Sequence, residues 1–399
     1  MSKPLEGVRI LEVAGWTFVP SAGAVLADLG ADVIKVEPPT GDPQRGLKNM
    51  LNLADDGPNP FNEIPNRGKR SITLDLANPA ARAVLLRIAA VSDVFLTSTL
   101  PANRAKLGID VDDIRAVNPS IIYAKGSGWG GQGPMVDVGG FDAAAAWASS
   151  GMGFKMTTPD GPLAQPPAFY DLQGGNTIAG AIGIALFKRE RTGEGSVIDV
   201  SLMNVGLWTM APDIVSAPYG AGVMKVDRSA PGNPLANWYR TGDDRWIMLV
   251  CLQADRYWAE LCGVLDRPDL VADERYANAG VRYEHRRECV AELDATFAAR
   301  PLAEWVERFG SFTGVWAPFL DLEEIRTHPQ TGPNGFLPDV TGLDGNVFKL
   351  VAPPMQFDGE HTVPAGPAPE LGQHTELVLL DAGLDWDEIT AARDSGALG

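Results

Sequence analysis

The sequence predicts an α/β fold with a largely parallel sheet, on two observations. Short β-branched, aliphatic segments alternate with helix-patterned ones through the first third of the chain, as in strands joined by crossover helices. The 399 residues are 45% hydrophobic, enough to bury a core in two or three domains. Val8–Val13 (VRILEV) reads as the first strand. Val19–Leu29 reads as a helix, with Pro20 in its first turn and Gly30 just past its end. Asp32–Val36 is the second strand, and a strand, helix and strand in so short a stretch imply a parallel pair with a right-handed crossover. Ser71–Leu76, Val94–Thr97 and Ile121–Lys125 continue the strands, while Ala80–Val91 and Val111–Val117 continue the helices. Thr40–Pro65, rich in Pro, Gly, Asp and Asn, reads as a long loop and Gly126–Pro134 as a glycine-dense one; Ser216–Pro234 reads as a linker. Beyond it, Asn237–Leu320 carries a strand at Trp246–Leu252 and then helix-rich sequence. Short strands return after Thr331, Asn346–Val351 among them, and Thr375–Ala392 is an amphipathic, acidic helix region.

Composition narrows the partners. With 51 Asp and Glu against 33 Lys and Arg, the net charge of −18 argues against nucleic acid, whose phosphates select for excess cations. An anionic small ligand in a local basic pocket remains compatible. Cys251, Cys262 and Cys289 are too few and too widely spaced for a disulfide framework or a paired metal site, which points to a reducing cytoplasm. The N-terminus lacks an apolar signal core, and apolar runs stop well short of ~18 residues, so no membrane association is expected. His285, His328, His361 and His374 show no ligand spacing, and neither a GxSxG elbow nor a recognisable cysteine nucleophile occurs. No metal and no permanently bound cofactor are expected, and most of the available chemistry must come from a carboxylate.

Gly126-x-Gly128-x-x-Gly131 follows a strand, but Gly133 and Pro134 stand where a helix should begin, and no acidic ribose partner follows. A turn that lets backbone approach some ligand, or a plain loop, fits better than a dinucleotide fingerprint. Arg67–Ser71 resembles the end of a P-loop, yet Glu63 stands where glycine is required. More informative is Phe169–Asn176 (FYDLQGGN), where Asp171 precedes a glycine pair taken to open a helix over Asn176–Arg189. Two readings stay open here. Asp171 is an ordinary helix N-terminal residue facing free N–H groups, or it is an anionic nucleophile. In the second reading the helix dipole keeps it ionised, and the amides of Gly174 and Gly175 hold a developing oxyanion.

The stretches PLEGVRILEVAGW with GAVLADLGADVIKVEPPTGDPQRG, NRGKRSITLDL, KGSGWGGQGP, YDLQGG, KRERTGEGSVIDVSLM and LGQHTELVLLDAGL together resemble the class III CoA-transferases and their racemase relatives. They follow the family's order across most of the chain. The resemblance implies an enzyme that moves CoA from an acyl-CoA donor to a free carboxylic acid, with acyl-CoA as substrate. Asp171 falls at the catalytic aspartate, which would form a mixed anhydride with the acyl group and then an aspartyl-CoA thioester. The racemases carry a histidine in a G-H-D stretch and a later glutamate; here Phe141 and Gln253 stand in those places, which removes the proton-transfer chemistry. A racemase with a substitute base and a non-catalytic acyl-CoA-binding protein are the alternatives.

The same resemblance places CoA along Trp16, Thr17, Leu74, Asp75, Ser98, Thr99, Gly128 and Trp129, with Arg104 and Lys106 near a phosphate. Pro38 stands where some members carry an arginine, so Arg45 or Arg70 is expected to substitute. Phe141, Trp147, Tyr170, Trp238 and Tyr239 are candidates for shaping the substrate pocket, with ordinary core packing as the competing reading. The flap of the formyl- and oxalyl-type members is reduced to Pro218–Gly222, which points to a larger or more apolar acyl group. The implied architecture is a large Rossmann-like domain built from both chain ends, a small α+β domain, and an interlocked homodimer. The boundaries would be residues 1–216 for the N-terminal part of the large domain, 217–236 for the linker, 237–325 for the small domain and 326–399 for the returning segment.

Overall fold

A computed structural model describes residues 3–51, 53, 57–220 and 227–399. The chain divides into two compact units, residues 1–223 with 329–399, and residues 224–328. The expected linker falls partly outside the described residues; within it, Ala217–Tyr219 is a 3-10 turn, and Ala236 already begins a strand.

The larger unit is built on six parallel strands: β1 (Arg9–Val13), β2 (Asp32–Glu37), β3 (Arg70–Thr73), β4 (Val94–Thr97), β5 (Ile122–Ser127) and β6 (Val197–Ser201). Their order is β3-β2-β1-β4-β5-β6, every neighbour parallel. Order therefore reverses between β1 and β4, and in open parallel sheets the crevice at the carboxyl ends of such a pair is where ligands bind.

Both sheet faces are covered, as parallel strands demand. On one face Leu11, Ile34, Phe95 and Tyr123 pack against α2 (Pro79–Ala90) and against Val378, Leu379 and Ile389 near the C-terminus. On the other, Ile10, Val33, Leu96 and Ile122 pack against α1 (Phe18–Asp28) and α5 (Phe169–Thr192). Between these run α3 (Pro101–Leu107) and α4 (Val111–Val117), and α6 (Leu202–Thr209) follows β6. Among the described residues no helix is long and apolar enough to cross a membrane.

The smaller unit has a three-stranded antiparallel sheet of Ala236–Arg240, Trp246–Val250 and Trp316–Pro318. Trp258, Phe297, Trp305 and Phe309 fill its core.

Three expectations need correction. Thr40–Pro65 is not simply a loop: it holds short helices at Pro43–Gly46, Leu47–Met50 and Pro60–Asn66. Two of them begin on proline, which is pre-set for a first helical position although it signals a turn in sequence. The C-terminal helix region is two helices, Thr375–Asp381 and Trp386–Asp394, the second opened by a reciprocal Asp385/Glu388 capping box. Finally, α5 begins at Phe169 rather than Asn176, so the glycine pair lies inside the helix.

Candidate active site

Asp171 is the third residue of α5 and is buried. It opens into a cleft of about 480 Å³ floored by Gly126 and Gly128 from the β5 end and by Gly139 and Gly140, with Phe18, Leu100 and Leu202 as apolar walls. A Cβ on Gly128 would lie 2.8 Å from Gly140 Cα, so this floor exists only because two chain segments meet backbone to backbone. Gly15 and Ser98 line both this cleft and a neighbouring crevice of about 380 Å³ at the ends of β1 to β4. The two spaces thus adjoin at the switch point of the sheet.

The carboxyl of Asp171 is pushed up to about 7 by burial first and by the Asp142 carboxylate second. Asp142 is itself buried, and its Oδ2 accepts the N–H of Tyr170 at 3.2 Å, so a negative group is fixed beside the start of α5. The expectation that the helix N-terminus holds Asp171 ionised meets two opposing causes here, desolvation and the like charge of Asp142, which raise its carboxyl.

The expected oxyanion role of Gly174 and Gly175 is corrected. Both lie in the second turn of α5, where amide N–H groups are taken up by the carbonyls four residues earlier. A Cβ on Gly174 would sit 2.3 Å from the Phe18 ring, and one on Gly175 would sit 1.9 Å from Ser21 Oγ. Their absent side chains let α1 and α5 touch, which sets where Asp171 stands.

Five non-glycine described residues have left-handed backbone, and three are aspartates, which tolerate it. The other two flank Asp171: Ala168 (φ 58°), just before α5, and Trp16 (φ 64°), just after β1. Such a conformation costs roughly 1–2 kcal/mol per residue and persists only where surroundings enforce it. For Trp16 they are identifiable. Its N–H donates to Asp42 Oδ1 (3.3 Å), and the neighbouring Gly15 N–H donates to Ser98 Oγ (3.2 Å). Asp42 is fixed in turn by Lys35 Nζ at 2.8 Å. Behind it Lys69 Nζ donates to both oxygens of Glu12 at 2.8 and 2.7 Å, all of these charges being buried. Burial pushes Lys69 down to about 8, against the pull of Glu12. Lys35 is desolvated as well, but Glu12 and Asp42 together hold it above its usual value.

The residues expected along CoA divide by location. Trp16, Ser98 and Gly128 line the Asp171 cleft, and Leu74, Asp75, Ser98 and Thr99 line the adjoining crevice. Thr17 is buried, its Oγ1 accepting from the Gln44 side chain, and Trp129 donates its indole N–H to Gly139 O at 3.1 Å. Lys106 is exposed on α3 and lines neither space. Arg104 is buried and committed, donating to Asp110 Oδ1 at 3.1 Å and to Thr99 O at 2.9 Å. The suggested substitutes for a missing arginine are committed as well. Arg45 makes a two-pronged pair with Glu37 at 2.8 and 2.6 Å, and Arg70 bridges Asp32 and Asp381. Burial opposes ionisation of Glu37, but Arg45 and Lys35 win and hold it down at about 2.

Of the suggested pocket aromatics, Phe141 lines the cleft, while Trp147 packs at the margin of the core. Tyr170 is fully buried in the core on the α1 side, and Tyr239 is in the core of the smaller unit, stacked on Phe297 with its hydroxyl donating to Pro234 O at 2.6 Å. Neither tyrosine shapes an open pocket: the competing packing reading wins at both. Trp238, half-buried, stands on the same strand of the smaller unit.

Asp142 and Asp42 had no assigned role in the sequence. The signal for the Asp42 network was present: Glu12 and Lys35 interrupt otherwise apolar central strands, and a buried strand tolerates a charge only when it is paired. Nothing in sequence flags Trp16 or Ala168 as left-handed, because neither residue type favours that region.

The family described as CoA-transferase family III matches residues 5–375. The chain is 30% identical over 393 residues to the (R)-2-hydroxy-4-methylpentanoate CoA-transferase of Clostridioides difficile, covering 98% of each. It is 31% identical to the succinyl-CoA:glutarate CoA-transferase of Mus musculus, over 97% of this chain and 88% of that one. The crystal structure of Rv3272 from Mycobacterium tuberculosis superposes with a TM-score of 0.82 at 30% identity, covering 94% of this chain and 99% of that one.

Proposed function

Since the chain belongs to CoA-transferase family III, we propose that it exchanges CoA between an acyl-CoA and a free carboxylic acid through covalent intermediates on Asp171. The observation that supports this reading best is a buried carboxylate opening into a glycine-floored cleft that adjoins the switch-point crevice. CoA lies with its nucleotide end toward the crevice lined by Leu74, Asp75 and Thr99, and its thioester reaches Asp171 past Gly15 and Ser98.

The steps balance without an external acid, base or redox partner. An oxygen of Asp171 attacks the thioester carbonyl, the C–S bond breaks, and CoA thiolate leaves a mixed anhydride. The thiolate then attacks Cγ of Asp171, releasing the first acid as its carboxylate and leaving an aspartyl-CoA thioester. The incoming carboxylate attacks the same carbon, expels thiolate and forms a second anhydride. Thiolate attack on the new acyl carbon yields product and frees Asp171. One negative charge passes among carboxylate and thiolate throughout. Burial and Asp142 disfavour that charge on Asp171, and acylation neutralises it, so the environment that raises the carboxyl also favours loading.

Intact mass measured after incubation with an acyl-CoA should show an acyl or CoA adduct, localised to Asp171 by hydroxylamine cleavage. Asp171→Ala should lose both adduct and exchange while keeping its fold; turnover near wild type in that variant would remove the covalent role. A proton-exchange racemase is disfavoured by Phe141, whose side chain lines the cleft and carries no transferable proton.

A further inference from the structure

We propose that Trp16 and Phe141 form an apolar clamp beside Asp171 that selects an acyl group with one carboxyl and an apolar body, and excludes acyl groups carrying a second carboxylate. The proposal rests on the transferase reading above and adds the substrate class to it.

Three observations carry it. Both rings line the Asp171 cleft and meet edge to face, centroids 5.2 Å apart at 86°. They are 41% and 58% exposed, so an apolar acyl body packing against the pair removes surface of its own and of both rings from water. Secondly, Trp16 is held in a left-handed conformation through Asp42, Lys35 and the Gly15–Ser98 contact. An enforced outlier that presents an indole to the cleft is a device with a use, since a glycine would sit there without strain. Thirdly, no described Lys, Arg or His lines the cleft. The recess beside it brings in Lys125 and Arg104, but Lys125 pairs with Asp199 at 3.1 Å and Arg104 with Asp110. A distal carboxylate would enter a largely apolar space already lined by the Asp171 carboxyl, with no unpaired cation among its described lining residues to meet it.

The test compares 4-methylpentanoyl-CoA with glutaryl-CoA, which are close in length but end in methyls or in a carboxylate. Each is exchanged with its own isotopically labelled free acid and read by mass spectrometry. The wild type should favour 4-methylpentanoyl-CoA by about 100-fold or more in kcat/KM. Trp16→Gly removes the indole and suits the left-handed backbone, so its Tm should not fall, while kcat/KM for 4-methylpentanoyl-CoA drops about tenfold or more. Phe141→Arg should supply the missing cation and shift the ratio toward glutaryl-CoA by at least about tenfold. Equal use of both donors by wild type, or an unchanged ratio in both folded variants, would overturn the clamp and leave the transferase reading standing. If no donor in a wider acyl-CoA panel exchanges and Asp171 is never labelled, the transferase reading falls, and the clamp with it.

Discussion

At the scale of single residues, the site turns on one carboxyl whose surroundings oppose its charge. In the proposed mechanism Asp171 must be ionised to attack, and its carboxyl is pushed up to about 7 by burial and Asp142. Exchange should therefore rise with pH through the neutral range and level off above it, as read from kcat/KM over pH 5–9. Asp142→Asn keeps an oxygen for the Tyr170 N–H but deletes the charge, so the acid limb should move to lower pH. Burial, the larger cause, remains, so the limb should stay above the ordinary carboxylate range. A limb that does not move would mean that Asp142 acts only as a structural cap. Linkage gives a second outcome. A folded carboxyl raised above its unfolded value of 3.8 binds its proton more tightly in the native state, so its contribution to stability is present at low pH and is lost as pH climbs from about 4 to about 7. Asp171→Asn should accordingly be inactive yet more stable than wild type at pH 8, by on the order of a few kcal/mol, with the gap closing below pH 4. A less stable variant at pH 8 would contradict the buried, like-charged environment.

At the scale of elements, α1 and α5 form the frame that fixes Asp171. Ala at position 174 or 175 would drive a methyl into the Phe18 ring or Ser21 Oγ, a core overpacking that typically costs about 1–3 kcal/mol. Because the clash lies one turn beyond Asp171, activity should fall further than stability accounts for. Gly180→Ala, on the same helix with open space at its Cβ, is the control, and Ala there should be neutral or slightly stabilising. Equal behaviour of Gly175→Ala and Gly180→Ala in thermal melts would refute the close-packing account. The same helix marks the limit of what sequence discloses. Periodicity gave β1, β2, β4, α1, α2 and α4 to within a residue or two, since each has a uniform pattern of its own. For α5, a glycine pair in its second turn resembles a helix start when neighbours are unknown, and the partner that explains it, Phe18, lies on another helix. Asp171 was legible as a candidate because a carboxylate stood beside that pair. Its raised carboxyl was not, since the cause is burial together with Asp142, twenty-nine positions earlier in the chain.

For the whole molecule, we propose the threaded homodimer that the family resemblance implies, with the partner covering part of the larger unit's surface. Ile184 and Phe187 on α5, with Trp208 on α6, are 73, 64 and 82% exposed, an unusual placement for large apolar side chains unless another surface covers them. Sedimentation at micromolar concentration should give twice the mass of one chain, and Ile184→Glu combined with Trp208→Glu should lower that mass or prevent assembly. Threading makes a stricter prediction than dimerisation. Two interlocked chains cannot part without locally unfolding, so dilution to nanomolar concentration should leave the dimer intact for hours, because separation is limited by unfolding rather than by interface affinity. Mixing two differently tagged preparations should likewise give no mixed dimer until both are denatured and refolded together. Rapid subunit exchange in native buffer would leave a dimer of ordinary surface contact, and a single-chain mass at every concentration would overturn the dimer.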